Sequence, residues 1–280
     1  MKQTQIVLFA IICLNMLACN NNNKINMEND QQQEALKSPA IKTAVVNYQL
    51  DALEMKGFVA YDSAKDGKRP VVLVVHEWWG LNEYVKGRVD QLAALGYLAM
   101  AVDMYGNGSI ANDPQQAIAF STPLYKNPQM AKARFDAAIE KIKTFPQADS
   151  NKIAAIGYCF GGTQVLNMAL MGENLAAVVS FHGGLETIAP EKNKVKAKIL
   201  ICHGEADSFV PDDMVAKFRK GLDSIGANYI FKSYPDAQHA FTNPASTMNG
   251  KKFDLPISYN AAADTASWTE MRLFLEGLFK

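Results

Sequence analysis

Short apolar runs alternate with helical patterns along most of the chain. Residues 43–61 alternate between apolar and polar positions in two segments with a short turn between them, which predicts a hairpin at a sheet edge. The run VVLVV at 71–75 is rich in β-branched residues, as in strands buried on both faces. Further strands are predicted at 96–103, 152–158, 175–181, 196–202 and 227–234.

Helical patterns separate these strands. Helices are predicted at 84–95, 114–126, 129–145, from near Phe160, at 212–225 and at 260–279. Strand and helix in alternation predict an α/β fold with a mostly parallel central sheet and helices on both faces. We find no internal repeat, so we predict a single domain over residues 43–280.

The N-terminal segment has a different pattern. Residues 1–19 contain a lysine, an apolar stretch too short to span a bilayer, and Ala18 before Cys19, which is typical of a secretory signal. The ending NMLAC is similar to the lipobox of bacterial lipoproteins and predicts lipidation at Cys19; an ordinary cleaved signal is the alternative. We therefore expect an exported protein, anchored in the membrane through its lipid and facing the periplasm or the cell surface. Residues 20–42 are mostly polar and are predicted to be a tether.

Composition narrows the classes of partner. Lys plus Arg equals Asp plus Glu at 28 each, so nothing in the net charge indicates nucleic acid, and a small or neutral partner is expected. Only Cys159 and Cys202 remain in the predicted domain, which argues against a disulfide scaffold. No His or carboxylate cluster has the spacing of metal ligands, and we expect no metal and no cofactor. We expect a monomer.

The segment Gly157-Tyr158-Cys159-Phe160-Gly161 joins a predicted strand to a predicted helix. It has the pattern of a nucleophile elbow, with cysteine as the nucleophile. The glycines allow strand and helix to approach closely, and the N-terminus of the helix favours a thiolate. The alternative is a small buried residue beside packing glycines.

A cysteine nucleophile needs a base, and the base needs a carboxylate that orients it. His239 follows the last apolar strand, whereas His182 and His203 are interpreted as hydrogen-bonded structural histidines. Asp207 follows the preceding strand, so Cys159, Asp207 and His239 have the order nucleophile, acid, histidine of α/β-hydrolases. The other candidate acids are Glu205, Asp212 and Asp236.

The loop HEWWG after the strand at 71–75 carries a further carboxylate. This is the loop in which α/β-hydrolases place the second oxyanion donor, the first being the amide of Phe160. Glu77 in that loop would lie close to Cys159. It could act as base for the thiol or restrain it until substrate arrives; a salt-bridged surface glutamate is the alternative.

Taken together, HEWWGLN, VDMYGNG, GYCFGG, HGEAD and QHAFTNP resemble the dienelactone hydrolase family, a cysteine-nucleophile branch of the α/β-hydrolases. The resemblance covers about residues 43–280. It implies the α/β-hydrolase fold and a catalytic triad of Cys159, Asp207 and His239.

The resemblance also implies that Glu77 interacts with the thiol and that the amides of Trp78 and Phe160 form the oxyanion hole. Members that cleave dienelactone hold the substrate carboxylate with arginines, one of them four residues after the triad histidine. Asn243 occupies that position here, and no arginine lies between Gly106 and Ala133. An uncharged ester or lactone is therefore the expected substrate.

Aromatic side chains near these motifs could form an apolar pocket beside the thiol. The predicted pocket residues are Trp78 or Trp79, Tyr105, Tyr125 and Asn243. Trp268, in the last helical pattern, is predicted to lie in the core.

The sequence thus predicts a carboxylic ester hydrolase that forms an acyl thioester on Cys159. The main alternative is a tethered ligand-binding or thiol redox-sensing protein on the same fold. A third reading, an esterase acting on acylated polysaccharide at the cell surface, differs only in substrate.

Overall fold

A computed structural model describes residues 38–279. Residues 41–279 form one compact unit. The predicted signal peptide, the lipidation site Cys19 and most of the predicted tether lie outside the described residues. None of the helices within residues 38–279 is long and apolar enough to cross a membrane.

The centre of the unit is an eight-stranded sheet. The strands are β1 (Ile41–Leu50), β2 (Leu53–Asp62), β3 (Arg69–Val75), β4 (Leu98–Val102), β5 (Ala148–Tyr158), β6 (Ala177–Phe181), β7 (Lys198–Gly204) and β8 (Tyr229–Tyr234). Their order in the sheet is β1-β2-β4-β3-β5-β6-β7-β8. β2 pairs antiparallel with both β1 and β4, and every neighbouring pair from β4 to β8 is parallel.

Helices connect the parallel strands and follow the last one. They are α1 (Glu83–Ala94), α2 (Pro114–Lys126), α3 (Pro128–Lys143), α4 (Phe160–Leu170), α5 (Asp212–Ile225), α6 (Ser246–Phe253) and α7 (Ala261–Phe279). The predicted mostly parallel sheet with helices on its faces is confirmed.

Two apolar cores cover the two faces of the sheet. Val71, Leu73 and Val75 of β3 point into the core that contains side chains of α2 to α5. Val72 and Val74 point the other way, into the core formed with α1 and α7. Alternate residues of a strand face opposite sides, so a strand buried on both faces is apolar at every position.

Three details differ from the sequence analysis or extend it. The sheet begins at Ile41, so Ile41 and Lys42 belong to β1 and not to the predicted tether. Helix α6 was not predicted, because STMNGKKF has no apolar period and contains asparagine and glycine. Both Cys159 and Cys202 are free thiols.

Candidate active site

The turn between β5 and α4 holds Cys159 in an unusual backbone conformation. Its φ is 52° and its ψ is −115°, which a residue with a side chain rarely adopts. A Cβ atom on Gly157 would lie 2.1 Å from the carbonyl oxygen of Gly161, and one on Gly161 would lie 2.2 Å from the carbonyl oxygen of Val75. Strand, helix and the end of β3 therefore touch through backbone alone, as the elbow pattern predicts.

Cys159, His239 and Asp207 form one hydrogen-bonded chain. The distance from Cys159 Sγ to His239 Nε2 is 3.0 Å, and that from His239 Nδ1 to Asp207 Oδ2 is 2.8 Å. The Asp207 side chain is fully buried, and its Oδ1 accepts a hydrogen bond from the amide of Phe209. Of the candidate acids, Asp207 is the one that binds the histidine, and its carboxylate assigns the proton to His239 Nδ1.

The charge state of His239 follows from this chain. Burial alone would lower the pKa of His239, but the charge of Cys159 and the hydrogen bonds to Asp207 and Cys159 raise it well above its ordinary value of 6.5. A protonated imidazole can donate from Nδ1 to Asp207 and from Nε2 to the sulfur at the same time.

Two backbone amides, one following Cys159 and one in the loop after β3, lack a hydrogen-bond partner within residues 38–279. Neither the Trp78 nor the Phe160 amide donates a hydrogen bond to another group within residues 38–279. The amide of Phe160 belongs to the first turn of α4, where helix amides have no partner in the helix. Such amides are suited to stabilise an oxyanion.

His76 fixes the loop that carries the Trp78 amide. Its Nδ1 lies 2.5 Å from the carbonyl oxygen of Glu77, and its Nε2 accepts a hydrogen bond of 3.3 Å from the amide of Met104. Burial lowers the pKa of His76, so the ring is neutral and donates through Nδ1. No sequence pattern indicated a role for this histidine.

Glu77 is buried and bound to Asn243. Its Oε2 accepts a hydrogen bond of 2.6 Å from Asn243 Nδ2, and no hydrogen bond joins Glu77 to Cys159 in the described chain. The implied interaction with the thiol is therefore replaced here by one with the amide, while the sulfur pairs with His239. Burial raises the pKa of Glu77 to about 7, against the opposing effects of Asn243, His239 and Arg88.

These groups open into a cavity of about 200 Å³. Trp78 and Trp79 both contribute to its wall, with ring centroids 5.1 Å apart. The lining residues are Glu77, Trp78, Trp79, Tyr125, Cys159, Gly184, Phe209, His239, Ala240, Asn243, Ser246, Leu255 and Ile257. None of them is a lysine or an arginine.

Tyr105 is the one predicted pocket residue outside this lining. Its hydroxyl donates to the carbonyl oxygen of Trp78, and its ring packs on His76 and Phe160. Tyr105 therefore supports the oxyanion loop from behind. Trp268 is partly buried in the core beside α1, as predicted, with the Arg88 guanidinium 5.1 Å from its ring centroid.

His182 holds the elbow from the side of β6. Its Nδ1 accepts a hydrogen bond of 3.1 Å from the amide of Cys159, which also donates to the carbonyl oxygen of Phe181. His182 Nε2 lies 2.7 Å from Thr242 Oγ1, and Thr242 Oγ1 lies 2.6 Å from the Tyr84 hydroxyl. The structural role predicted for His182 is thus to position the backbone of Cys159. No sequence signal linked it to the elbow, because the bond joins two strand ends.

His203 lies apart from the cavity lining and is buried, with its ring centroid 5.6 Å from that of Phe231. Within residues 38–279 no cluster of His, Cys, Asp or Glu could hold a metal ion.

Comparisons with known proteins identify the family of the chain. A sequence model of the dienelactone hydrolase family matches residues 55–279. The chain is 30% identical over 207 residues to Protein usf of Aquifex pyrophilus, covering 71% of this chain and 87% of that one. A relative in Aquifex aeolicus, 28% identical over 204 residues, carries the provisional name carboxymethylenebutenolidase; the match covers 71% of this chain and 87% of the relative.

Solved structures give the same result. A dienelactone hydrolase-like promiscuous phosphotriesterase from metagenomic libraries superposes with a TM-score of 0.80 at 31% identity, covering 86% of this chain and all of the other. The dienelactone hydrolase of Anabaena variabilis shares the fold, with a TM-score of 0.59 at 19% identity over 84% of this chain and 98% of the other. The predicted resemblance is confirmed: the chain belongs to the dienelactone hydrolase family and is a carboxylic ester hydrolase of the α/β-hydrolase fold.

Proposed function

We propose that the protein hydrolyses a small uncharged ester or lactone through an acyl thioester on Cys159. The observation that carries the proposal is the chain from Cys159 Sγ through His239 to Asp207, at a strained elbow and beside two unpaired amides. A nucleophile, its base, the carboxylate that orients it and an oxyanion site are the parts that acyl transfer requires.

The reaction has two steps. The Cys159 thiolate attacks the substrate carbonyl carbon and forms a carbon–sulfur bond, while the amides of Trp78 and Phe160 stabilise the oxyanion. Protonated His239 then donates its Nε2 proton to the leaving oxygen as the carbon–oxygen bond breaks. In the second step neutral His239 removes a proton from water, the hydroxide attacks the thioester, and Cys159 leaves as thiolate with release of the acid.

The charge of the cavity supports an uncharged substrate. Asn243 occupies the place of the expected arginine, and its side chain is bound to Glu77 and to the amide of Ala245. A carboxylated substrate would meet no lysine or arginine in the cavity wall to replace its hydration, and it would approach a buried carboxyl group.

The test is hydrolysis by freshly reduced protein lacking residues 1–19. The panel contains neutral esters, neutral lactones and a carboxylated dienelactone, with Cys159→Ala as the comparison. A neutral phosphotriester is added because the related structure described above is of a phosphotriesterase. Turnover of neutral esters or lactones that is lost in Cys159→Ala is expected. Undiminished turnover in that variant would rule out the thioester mechanism, and preference for the dienelactone would rule out the neutral substrate.

A thiol redox-sensing role is the second candidate, because the free thiol of Cys159 is partly exposed. Mass spectrometry of protein isolated without reductant separates the two proposals. Stable oxidation of Cys159 together with failure to hydrolyse any ester would favour the sensor.

We also propose that the chain is exported and anchored through lipid on Cys19. Labelling of cells with a radioactive fatty acid tests this: the wild type should incorporate label, and a Cys19→Ala variant should not. Equal labelling of the two would rule the anchor out.

A further inference from the structure

The carboxyl group of Glu77 uses one of its two oxygens in the protein. Oε2 accepts the hydrogen bond from Asn243 Nδ2, and Oε1 has no hydrogen-bond partner within residues 38–279. Unpaired side-chain oxygens elsewhere in this range, such as that of Gln147, are closed to solvent, but Oε1 is not. Glu77 is only 2% exposed and lines the cavity, so a ligand in the cavity can reach Oε1.

The cations that influence Glu77 are bound to other groups. Arg88 is paired with Asp264, and both ring nitrogens of His239 are engaged by the triad. No lysine, arginine or histidine in the described part of the chain forms an ion pair with Glu77. A buried carboxylate without an ion pair is unfavourable, so burial favours the neutral form and raises the pKa of Glu77 to about 7.

The remaining ionisable groups near Glu77 supply no positive charge. Burial raises the pKa of two neighbouring tyrosines and lowers the pKa of the preceding histidine, so these side chains are neutral, and the cysteine of the cavity is a thiol or a thiolate. These groups are Tyr84, Tyr158, His76 and Cys159. Because Asn243 donates to Oε2, the proton of neutral Glu77 lies on Oε1, the oxygen that is open to the cavity.

We propose that neutral Glu77 binds the substrate by donating a hydrogen bond from Oε1 to one of its uncharged oxygens, while Asn243 holds Oε2. This inference rests on the proposed function, because it assigns a substrate-binding residue to that reaction. Glu77 thus acts on the substrate and does not take the proton of the thiol, since the sulfur is bound to His239. The hydrogen bond is present below about pH 7 and is lost above it, because an ionised carboxylate has no proton to donate.

The experiment measures binding without turnover, in Cys159→Ala protein. The probes are phenyl acetate and isobutylbenzene, which has the same shape with a methylene and a methyl group in place of the two oxygens. The ratio of their dissociation constants is the oxygen preference, measured at pH 6 and pH 8 with a second substitution, Glu77→Gln, Glu77→Leu or Asp90→Asn. Glutamine accepts from Asn243 and still presents an N–H donor, whereas leucine does not. Asp90 is the control, because its pKa is also raised but it lies outside the cavity lining.

We expect the oxygen preference of Cys159→Ala protein to fall about five- to tenfold from pH 6 to pH 8, because the fraction of Glu77 that can donate becomes small. With Glu77→Gln the preference should stay high at both pH values, and with Glu77→Leu it should be low at both. Asp90→Asn should leave the fall as it is. No fall in the parent protein, or the same fall with Glu77→Gln, would overturn the inference.

Turnover separates this inference from the proposed reaction. Hydrolysis of phenyl acetate is compared for the wild type and Glu77→Gln, both with Cys159, and the ratio of kcat/KM of the variant to that of the wild type should rise about five- to tenfold from pH 6 to pH 8. A variant that is inactive at both pH values would show that Glu77 serves the thiol; the inference would fail, and hydrolysis by the wild type would leave the proposed reaction standing. An oxygen preference that depends on Glu77 in the binding experiment would support the inference even if the wild type hydrolysed nothing, in which case only the proposed reaction would fail.

Discussion

His203 lies near the carboxyl end of β7 and His239 lies in the loop after β8, and their surroundings differ. His239 lies between a thiol and a carboxylate, while His203 packs against Phe231. A histidine acts as base only if one ring nitrogen reaches the nucleophile and the other is held in the right tautomer. Only the first of the two has this geometry.

We expect His239→Gln to lower kcat on a neutral ester by about 10³-fold or more, since it removes the base and leaves the Asp207 carboxylate without an imidazole to orient. His203→Gln is the matched substitution and should change kcat by less than about tenfold, because it lies outside the cavity lining. Both are measured on folded protein, with circular dichroism as a check. Equal losses in the two variants would show that the base has been assigned to the wrong histidine.

The buried carboxyl of Glu77 makes stability depend on pH. Its pKa is raised from 4.5 to about 7, so the folded state keeps a proton that the unfolded state loses. As pH rises from about 4.5 to about 7, the unfolded state releases this proton more readily than the folded state, so the unfolding free energy of the wild type falls. Below this range the carboxyl is protonated in both states, and the unfolding free energy does not change with its ionisation. A glutamine at this position has no such dependence and still accepts a hydrogen bond from Asn243.

We therefore expect the unfolding free energy of Glu77→Gln to exceed that of the wild type by a margin that grows from about pH 4.5 to about pH 7. The growth should be about 3 kcal/mol, from 1.36 kcal/mol for each pKa unit. Urea unfolding at several pH values measures it. A margin that is constant with pH, or that shrinks as pH rises, would contradict the raised pKa.

The sequence indicated both Glu77 and Asn243 but not their contact. Glu77 was assigned through the motif after β3, and Asn243 through the position after the triad histidine. Their hydrogen bond joins residues 166 positions apart. Such a pairing depends on how loops from distant strands meet, which neither local pattern nor composition contains.

At the scale of elements, β3, β5 and α4 approach one another closely at the site, with no room for a side chain at Gly157 or Gly161. The end of β3 leaves no room for a side chain at Gly161, where a Cβ atom would meet two carbonyl oxygens, those of Val75 and His76, at 2.2 and 2.6 Å. The same loop carries the Trp78 amide. Packing at this glycine therefore sets the distance between the two proposed oxyanion donors.

We expect Gly161→Ala to lower the unfolding free energy by about 2 kcal/mol or more and to reduce kcat, because helix and loop must separate. Gly87→Ala, in the exposed part of α1 where a Cβ atom would meet nothing within 4 Å, is the control. It should raise the unfolding free energy by about 0.5–1 kcal/mol. Thermal unfolding and ester hydrolysis of both variants provide the measurements, and similar behaviour of the two would contradict the close contact.

Prediction from sequence succeeded for elements with a strong local pattern. The strands of the parallel sheet and the helices around them lie within a few positions of the predicted ranges, as α1 (Glu83–Ala94) does against 84–95. Helix α6 has no such pattern and is held by tertiary contacts. Gly250 packs so closely against the segment after α6 that a Cβ atom on it would lie 2.4 Å from the carbonyl oxygen of Ile257. The cavity wall that α6 supplies was therefore also missed.

At the scale of the whole molecule, Arg88 ties together parts that are distant in the chain. Its guanidinium donates to Asp264 at 2.5 Å and to the Thr242 carbonyl oxygen at 2.8 Å. It thereby links α1, α7 and the loop after His239. The side chains of the Arg88 and Asp264 pair are only 9% and 15% exposed, so loss of one partner leaves the other charge buried.

We expect Arg88→Met to lower the unfolding free energy by about 3–5 kcal/mol, because Asp264 would be buried without a partner. Arg272→Met removes an arginine from an exposed pair with Glu276, both side chains 38% exposed, and should cost less than about 1 kcal/mol. Chemical denaturation of the two variants tests this. Comparable losses would mean that Arg88 contributes no more than a surface charge.

The order of the strands in the sheet could not be predicted from the sequence. A mostly parallel sheet follows from the alternation of strands and helices, but the position of β4 between β2 and β3 depends on pairings between distant segments. Motifs at the strand ends could be assigned to a shared edge because parallel strands end together. Which residues meet there is fixed by the order of the strands.

The absence of lysine and arginine from the cavity lining has a consequence for product release in the proposed reaction. An ester enters uncharged, but its acid product loses a proton in water at neutral pH and becomes an anion. The same apolar walls, which also contain the Glu77 carboxyl, accept the first and disfavour the second. The negative charge that hydrolysis creates would therefore favour release of the acid product. Asn243, in the place of the expected arginine, would leave the site with weak affinity for that anion.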